Sequence, residues 1–175
     1  MSGHATVTTF RRFRFLHHLA TDQDSVRRAF PKASLARIEA AIADGERLHR
    51  GQVRFAVEPS LPLVRVLRGV APRERALEVF GNLRIWDTEE NCGVLVYLLL
   101  ADRDVEIVAD RGIHAHVGTA AWNAVCAKME AAFRAGRFVE GVEAGIAEIN
   151  PLLARHYPRE GHAVGNELPN RPVVL

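Results

Sequence analysis

Seven consecutive apolar residues, Val94 to Leu100, sit at the centre of this chain, and no other stretch restricts its fold as tightly. A run of this length and composition reads as a strand buried on both faces. Only Ala101 to Asp104 separates it from a second, β-branched run, Val105 to Val108. A connection that short cannot form a crossover, so the two runs pair antiparallel. Both faces of the sheet then need cover. The polar residues before the first run, Asp87-Thr88-Glu89-Glu90-Asn91, and after the second, Asp110-Arg111, fall at one end of the hairpin. Asp102-Arg103-Asp104 falls at the other. Ligand groups usually sit on loops at strand ends.

An earlier strand is marked by alternation over Gln52 to Glu58, with Val53, Phe55 and Val57 on one face and Gln52, Arg54 and Glu58 on the other. Pro59 and Pro62 stop it. Pro72 suits the first position of a helix whose apolar stripe is Ala76, Leu77, Phe80 and Leu83. With Val94 to Leu100 these elements make a βαβ unit. Asp24-Ser25 begins a short helical turn ended by Pro31. From Ser34, helical spacing runs through Leu35, Ile38 and Ile42, with Gly51 at the expected C-terminal cap.

Beyond the hairpin, Gly118-Thr119 opens a helix with Trp122, Val125, Met129 and Phe133 inward, and Gly136 breaks it. Phe138, Val142, Ile146, Ile149 and Leu153 define a second helix, with Pro151 tolerated near its end. The expected class is α/β: a three-layer α/β/α sandwich with a small mixed β-sheet. Residues 1–33 form a basic helical extension, with Phe10, Phe13 and Leu16 toward the domain and the arginines in solvent. Residues 34–156 form the α/β domain, and residues 157–175 an irregular tail from which Val173 to Leu175 docks.

With 175 residues, 48% of them hydrophobic, the chain can bury a core without a disulfide or structural metal. A net charge of +2 makes no electrostatic case for nucleic acid. Cys92 and Cys126 lie far apart with no CxxC, which suits a reduced, cytoplasmic protein. The N-terminus lacks the order of a signal peptide, and no apolar run is long enough to span a bilayer, so the expectation is a soluble protein. The absence of a Walker A loop, a GxGxxG after a strand and a GxSxG elbow argues against nucleotide-binding enzymes and α/β-hydrolases.

Several groups carry candidate chemistry. The carboxylates and amide of Asp87 to Asn91 are hard oxygen donors of the kind Ca²⁺ or Mg²⁺ requires, although a solvated turn is the plainer reading. Asn91, Glu90, Asp110 and Arg111 share the same hairpin end, whereas Asp102 and Asp104 belong to the turn opposite. His114-x-His116, taken as extended, would point both imidazoles one way with Asp110 as a third ligand, a weak transition-metal signal. Cys92 is read as a structural thiol. Arg11, Arg12 and Arg14, with His17 and His18, make a basic cluster free of acidic residues, suited either to phosphate or a partner or to the solvated face of a packed helix.

Asn91-x-Gly93-Val94-Leu95, the apolar strand, Asp102-Arg103-x-Val105-x-Ile107 and Gly112-Ile113 together resemble the TPM domain family, named for thylakoid lumen, photosystem II repair and levamisole-receptor proteins. The similarity covers roughly residues 34 to 155. It implies a three-layer α/β/α fold, Ca²⁺ or another divalent cation held in loops at one end of the sheet, a link to acid phosphatase activity, and service near membrane protein complexes. Carried to this chain, the loop positions are Glu90, Asn91 and Asp110, with Asp87 beside them. Cys92 and His114 stand where relatives often carry polar or acidic residues.

Two functions follow as expectations. One is a non-catalytic accessory module of a protein complex at a membrane, cytoplasmic or peripheral, with Arg11, Arg12 and Arg14 touching the partner. The other is a weak metal-assisted phosphatase: Asp87, Glu90, Asn91 and Asp110 hold the cation, Asp110 and Arg111 are catalytic, and Arg111 meets the phosphate.

Overall fold

The computed structural model describes residues 14–159 and 165–175. Its described elements are α1 (residues 14–20), α2 (Gln23–Ala29), α3 (Lys32–Glu46), β1 (Gln52–Glu58), α4 (Leu63–Leu67), α5 (Pro72–Asn82), β2 (Gly93–Leu99), β3 (Asp104–Ala109), α6 (Arg111–Val117), α7 (Thr119–Arg134), α8 (Phe138–His156) and β4 (Val173–Val174). The strands form one sheet in the order β3-β2-β1-β4. β1 and β2 run parallel with Gln52 beside Gly93, while β2 and β3 pair antiparallel with Val94 beside Ala109. The hairpin and the mixed sheet match the sequence expectation.

Helices cover both faces. Val53, Phe55, Val57, Val94, Val96 and Leu98 pack toward α3, α7 and α8, where Trp122, Val125, Met129, Phe133, Ile146 and Ile149 complete the larger core. Ala56, Leu95, Tyr97 and Leu99 pack on the opposite side with Val66, Ala76, Val79 and Ile85. The domain is a three-layer α/β/α sandwich. In the larger core each fully buried aliphatic or aromatic side chain contributes about 1.5–3 kcal/mol before entropy is set against it.

The tail is more ordered than its Pro- and Asn-rich composition suggests. β4 adds to β1 in parallel through Ala56–Val173 and Val57–Val174, and Leu175 N–H donates to Val57 O at 3.0 Å. Further along the same edge, Gln52 Oε1 accepts the N–H groups of Glu167 and Leu168, each at 3.0 Å. β1 is thereby converted from an edge strand into an interior one. On the far edge, Arg73 Nη1 donates to Ile107 O at 2.5 Å, so side chains as well as helices blunt the exposed strand.

Four local expectations are corrected. α3 starts at Lys32 behind Pro31 and ends at Glu46, so Gly51 leads into β1 and caps no helix. α5 buries Ala76 and Val79, while Leu77 remains 52% exposed, because the helix meets the sheet one residue around from the expected stripe. Val26 and Phe30 belong to the core, so the packed domain begins before residue 34. In α1, Leu16 is 54% exposed, while His18 is buried and Arg14 bonds inward. The reason is polar: the Asp102 carboxylate, Leu61 N–H and Val70 O all need partners at that end of the sheet. Phe10 and Phe13 lie outside the described residues.

Candidate functional site

The loop before β2 and the start of α6 meet because β2 and β3 are antiparallel neighbours. Asp110 N–H donates to Gly93 O at 2.8 Å, and Ile113 N–H to Asn91 O at 3.2 Å. Asn91 adopts φ 53°, a left-handed conformation that asparagine tolerates better than most residues. Asp110 stands at the N-cap of α6, where its Oδ1 accepts the Arg111 N–H at 2.7 Å. Arg111 Nε then donates to Asn91 Oδ1 at 3.0 Å. Asn91, Asp110 and Arg111 thus form one bonded set.

Glu90 joins through two groups. Its carbonyl accepts the Tyr157 hydroxyl at 3.4 Å, and its Oε1 lies 3.3 Å from Arg50 Nη1. Glu90 Oε2 and Asp110 Oδ2 are both buried without a hydrogen-bond partner, as is Arg50 Nε. Burial pushes the Tyr157 phenol above its ordinary value, and the neighbouring Cys92, Glu90 and Asp110 add to the effect. Gly112 makes the assembly possible: a Cβ there would stand 2.6 Å from Asn91 O and 2.8 Å from the Tyr157 oxygen.

Asp87 is exposed, and its N–H closes a turn on Arg84 O at 3.0 Å; it takes no part in the bonded set. Cys92 lies beneath, with its N–H on Thr88 Oγ1 at 3.1 Å. Burial pushes its thiol up to about 11, and that of Cys126 likewise, so neither supplies a thiolate nucleophile near neutral pH. Residues 111–117 are helical and not extended. His114 and His116 therefore point about 200° apart around the axis, which removes the convergent imidazole pair. His116 instead stacks on His156, with ring centroids 4.9 Å apart. Among the described residues, no group of three His, Cys, Asp or Glu side chains is placed to hold a metal ion.

Arg11 and Arg12 lie outside the described residues. Arg14 bonds to Asp102 at 3.0 Å and to Val70 O at 2.9 Å, at the sheet end opposite Asn91. Sequence reasoning missed Arg50, Gly112 and Tyr157. Arg50 reaches the loop because Gln52 pairs in parallel beside Gly93, a register that no local pattern in the sequence announces. Tyr157 arrives only because α8 ends there.

A mixed sheet between helices, with a loop cluster at the amino ends of its parallel strands, defines a small three-layer α/β domain. The TPM domain model matches residues 26–152, and the chain belongs to that family. Among solved structures, it is similar to the BA42 protein from the psychrophilic bacterium Bizionia argentinensis, with 27% identity, a TM-score of 0.74, and coverage of 83% of this chain and 95% of that one. The N-terminal domain of a protein from P. gingivalis shares the fold at 15% identity, with a TM-score of 0.61 and coverage of 76% and 83%. A search of the curated proteins gives no match. No helix among the described residues is long and apolar enough to cross a membrane.

Proposed function

We propose that this TPM domain is a non-catalytic binding module of a protein complex, recognising its partner through residues 87–91 and 110–116. The observation that supports this reading is the pair of buried, unpartnered acceptors, Glu90 Oε2 and Asp110 Oδ2. An unsatisfied buried acceptor costs about 1–3 kcal/mol, which a partner's cationic side chain or a hard cation would recover. Asp110 Oδ1 caps α6 and Arg111 Nε is bonded to Asn91, so each residue already serves the structure of the loop.

Ca²⁺ suits the donor type, since two orphaned carboxylate oxygens and the Asn91 amide oxygen are hard ligands. The number of ligands suits it less well. Ca²⁺ takes about six to eight oxygens, and Arg50 already neutralises part of the Glu90 charge. In this reading the cation is an adjunct to partner binding, with Glu90, Asn91 and Asp110 as its ligands and Asp87 entering only by loop movement. The chain is then cytoplasmic and peripheral to a membrane complex.

The test is a Ca²⁺ titration of the full chain followed by amide shifts, together with hydrolysis of p-nitrophenyl phosphate with and without chelator. We expect shifts confined to residues 87–91 and 110–116, and background hydrolysis equal in wild type and Asp110→Ala. Chelator-sensitive hydrolysis abolished by Asp110→Ala would replace the binding module with the metal-assisted phosphatase.

A further inference from the structure

A second hollow lies beyond the carboxyl end of β2, the sheet end at which open α/β folds commonly take ligands. It is a cleft of about 470 Å³ between the α1–α2 junction, the turn joining β2 to β3 and the turn joining α7 to α8. That volume falls within the range of small-molecule sites. Leu100, Ala101 and Phe138 line it with apolar surface. His17, Arg28 and Arg103 line it as well, with Thr21 and Ser25, and among the described residues no carboxylate does.

The three basic side chains differ in how far they are already engaged. Arg28 donates to Ser25 Oγ at 2.9 Å and stands 4.0 Å from Asp22. Among the described residues, the side chains of His17 and Arg103 have neither a hydrogen-bond nor an ion-pair partner. Asp102, the acid next to Arg103, is tied to Arg14 and His18 and does not line the cleft. Arg103 also has φ 51°, at a turn position that hairpins normally give to glycine or asparagine. No polar partner among the described residues accounts for an arginine there.

We propose that this cleft binds a small organic anion, with its oxyanion head on Arg103, Arg28 and His17 and its apolar body on Leu100, Ala101 and Phe138. Guanidinium groups pair with carboxylate and phosphate oxygens through charge-assisted, often two-point hydrogen bonds. The Thr21 hydroxyl supplies a further donor beside the head, while the Ser25 hydroxyl is held by Asp22 and Arg28. This site is independent of the Asn91–Asp110 cluster, which lies at the opposite end of the strands.

The experiment titrates the full chain with phenyl phosphate, benzoate, benzyl alcohol and inorganic phosphate, read by amide chemical shifts. Phenyl phosphate or benzoate should shift residues 20–29, 100–103 and 136–138 saturably, and the tighter of the two identifies the head group. Benzyl alcohol, which lacks the charge, and inorganic phosphate, which lacks the apolar body, should each bind about tenfold more weakly or worse. Arg103→Gly removes the guanidinium while giving the turn its preferred residue, so the variant should melt at or above the wild-type temperature and lose about tenfold in affinity. Three results would each overturn the proposal: no saturable shift by either aryl anion, equal binding of benzyl alcohol or inorganic phosphate, or unchanged affinity in Arg103→Gly.

Discussion

Asp102 and His18 are bonded across the carboxyl end of the sheet, with Oδ1 3.1 Å from Nε2, while His18 Nδ1 accepts the Leu61 N–H at 2.9 Å. Since Nδ1 accepts a backbone proton, the imidazole carries its own proton on Nε2 and donates it to Asp102. Burial works to raise the Asp102 carboxyl, but the hydrogen bonds from His18 and Arg14 outweigh it and hold the group below its ordinary value. This pairing draws α1 onto the domain. Asp102→Ala strands a buried ring N–H and should cost about 2 kcal/mol. A lower urea midpoint with an unchanged slope would show it, and an unchanged midpoint would remove Asp102 as the anchor of α1.

Glu46 produces a pH dependence of unusual sign. Its Oε1 accepts the Val53 N–H at 3.0 Å, on β1 beyond the residues that β4 pairs. Burial pushes its carboxyl up to about 7 from an ordinary 4.5, and Asp104 rises to about 7 from 3.8 through burial and then Glu106 and Glu130. The native state therefore keeps protons that the unfolded chain has already released, and stability falls as pH rises from roughly 4 to 7. Buried His49, with its pKa lowered, acts in the opposite sense below 6.5. Glu46→Gln isolates the acid: the variant should lie close to wild type near pH 5 and exceed it by about 2–3 kcal/mol near pH 8. Parallel thermal midpoints for the two proteins across that range would refute the assignment.

Gly112→Ala should destabilise strongly. The added Cβ would meet Asn91 O at 2.6 Å and Glu90 O at 2.9 Å, both backbone atoms held by the loop, and the Tyr157 oxygen at 2.8 Å. Relief requires moving the 87–91 loop away from α6, and overpacking of this kind costs about 1–3 kcal/mol. The expected signature is a lower melting temperature together with amide shift changes at residues 88–92. A variant as stable as wild type would mean that the loop yields freely.

Removing residues 173–175 should expose the β1 edge. The deletion takes away β4, the Leu175 N–H bond to Val57 O, and the Leu175 O that Gln23 Nε2 holds at 2.7 Å. With each lost backbone hydrogen bond contributing about 1 kcal/mol, a loss of a few kcal/mol is expected. The opened strand should also favour self-association, visible as concentration-dependent light scattering. A monomer of undiminished stability would show that the tail contributes nothing to the edge.

Much of the fold is legible where one periodicity dominates. Trp122, Val125, Met129 and Phe133 recur at helical spacing, and all four are buried in α7. The unbroken β2 run announces its burial on both faces. The candidate site is legible only in part: the hairpin places Asn91, Asp110 and Arg111 at one end, but an extended reading of His114 and His116 takes the wrong local period. Seven residues with a single buried side chain, Ile113, carry too little apolar pattern to announce α6. Arg14 misleads for a different reason. Nothing local tells whether an arginine on an amphipathic helix faces water or a carboxylate 88 residues away.

From the sequence alone come the antiparallel hairpin, its parallel partner strand and the helices that cover them, because strand and helix periodicity and the length of a turn are local properties of the chain. Tertiary structure alone decided which polar atoms found partners. It tied Arg14 and His18 to Asp102, used the tail to close β1, and left Glu90 Oε2, Asp110 Oδ2 and the Arg103 guanidinium without partners among the described residues. Hydrogen-bond satisfaction depends on residues far apart in the chain reaching within about 3 Å of each other, and no local pattern encodes that distance.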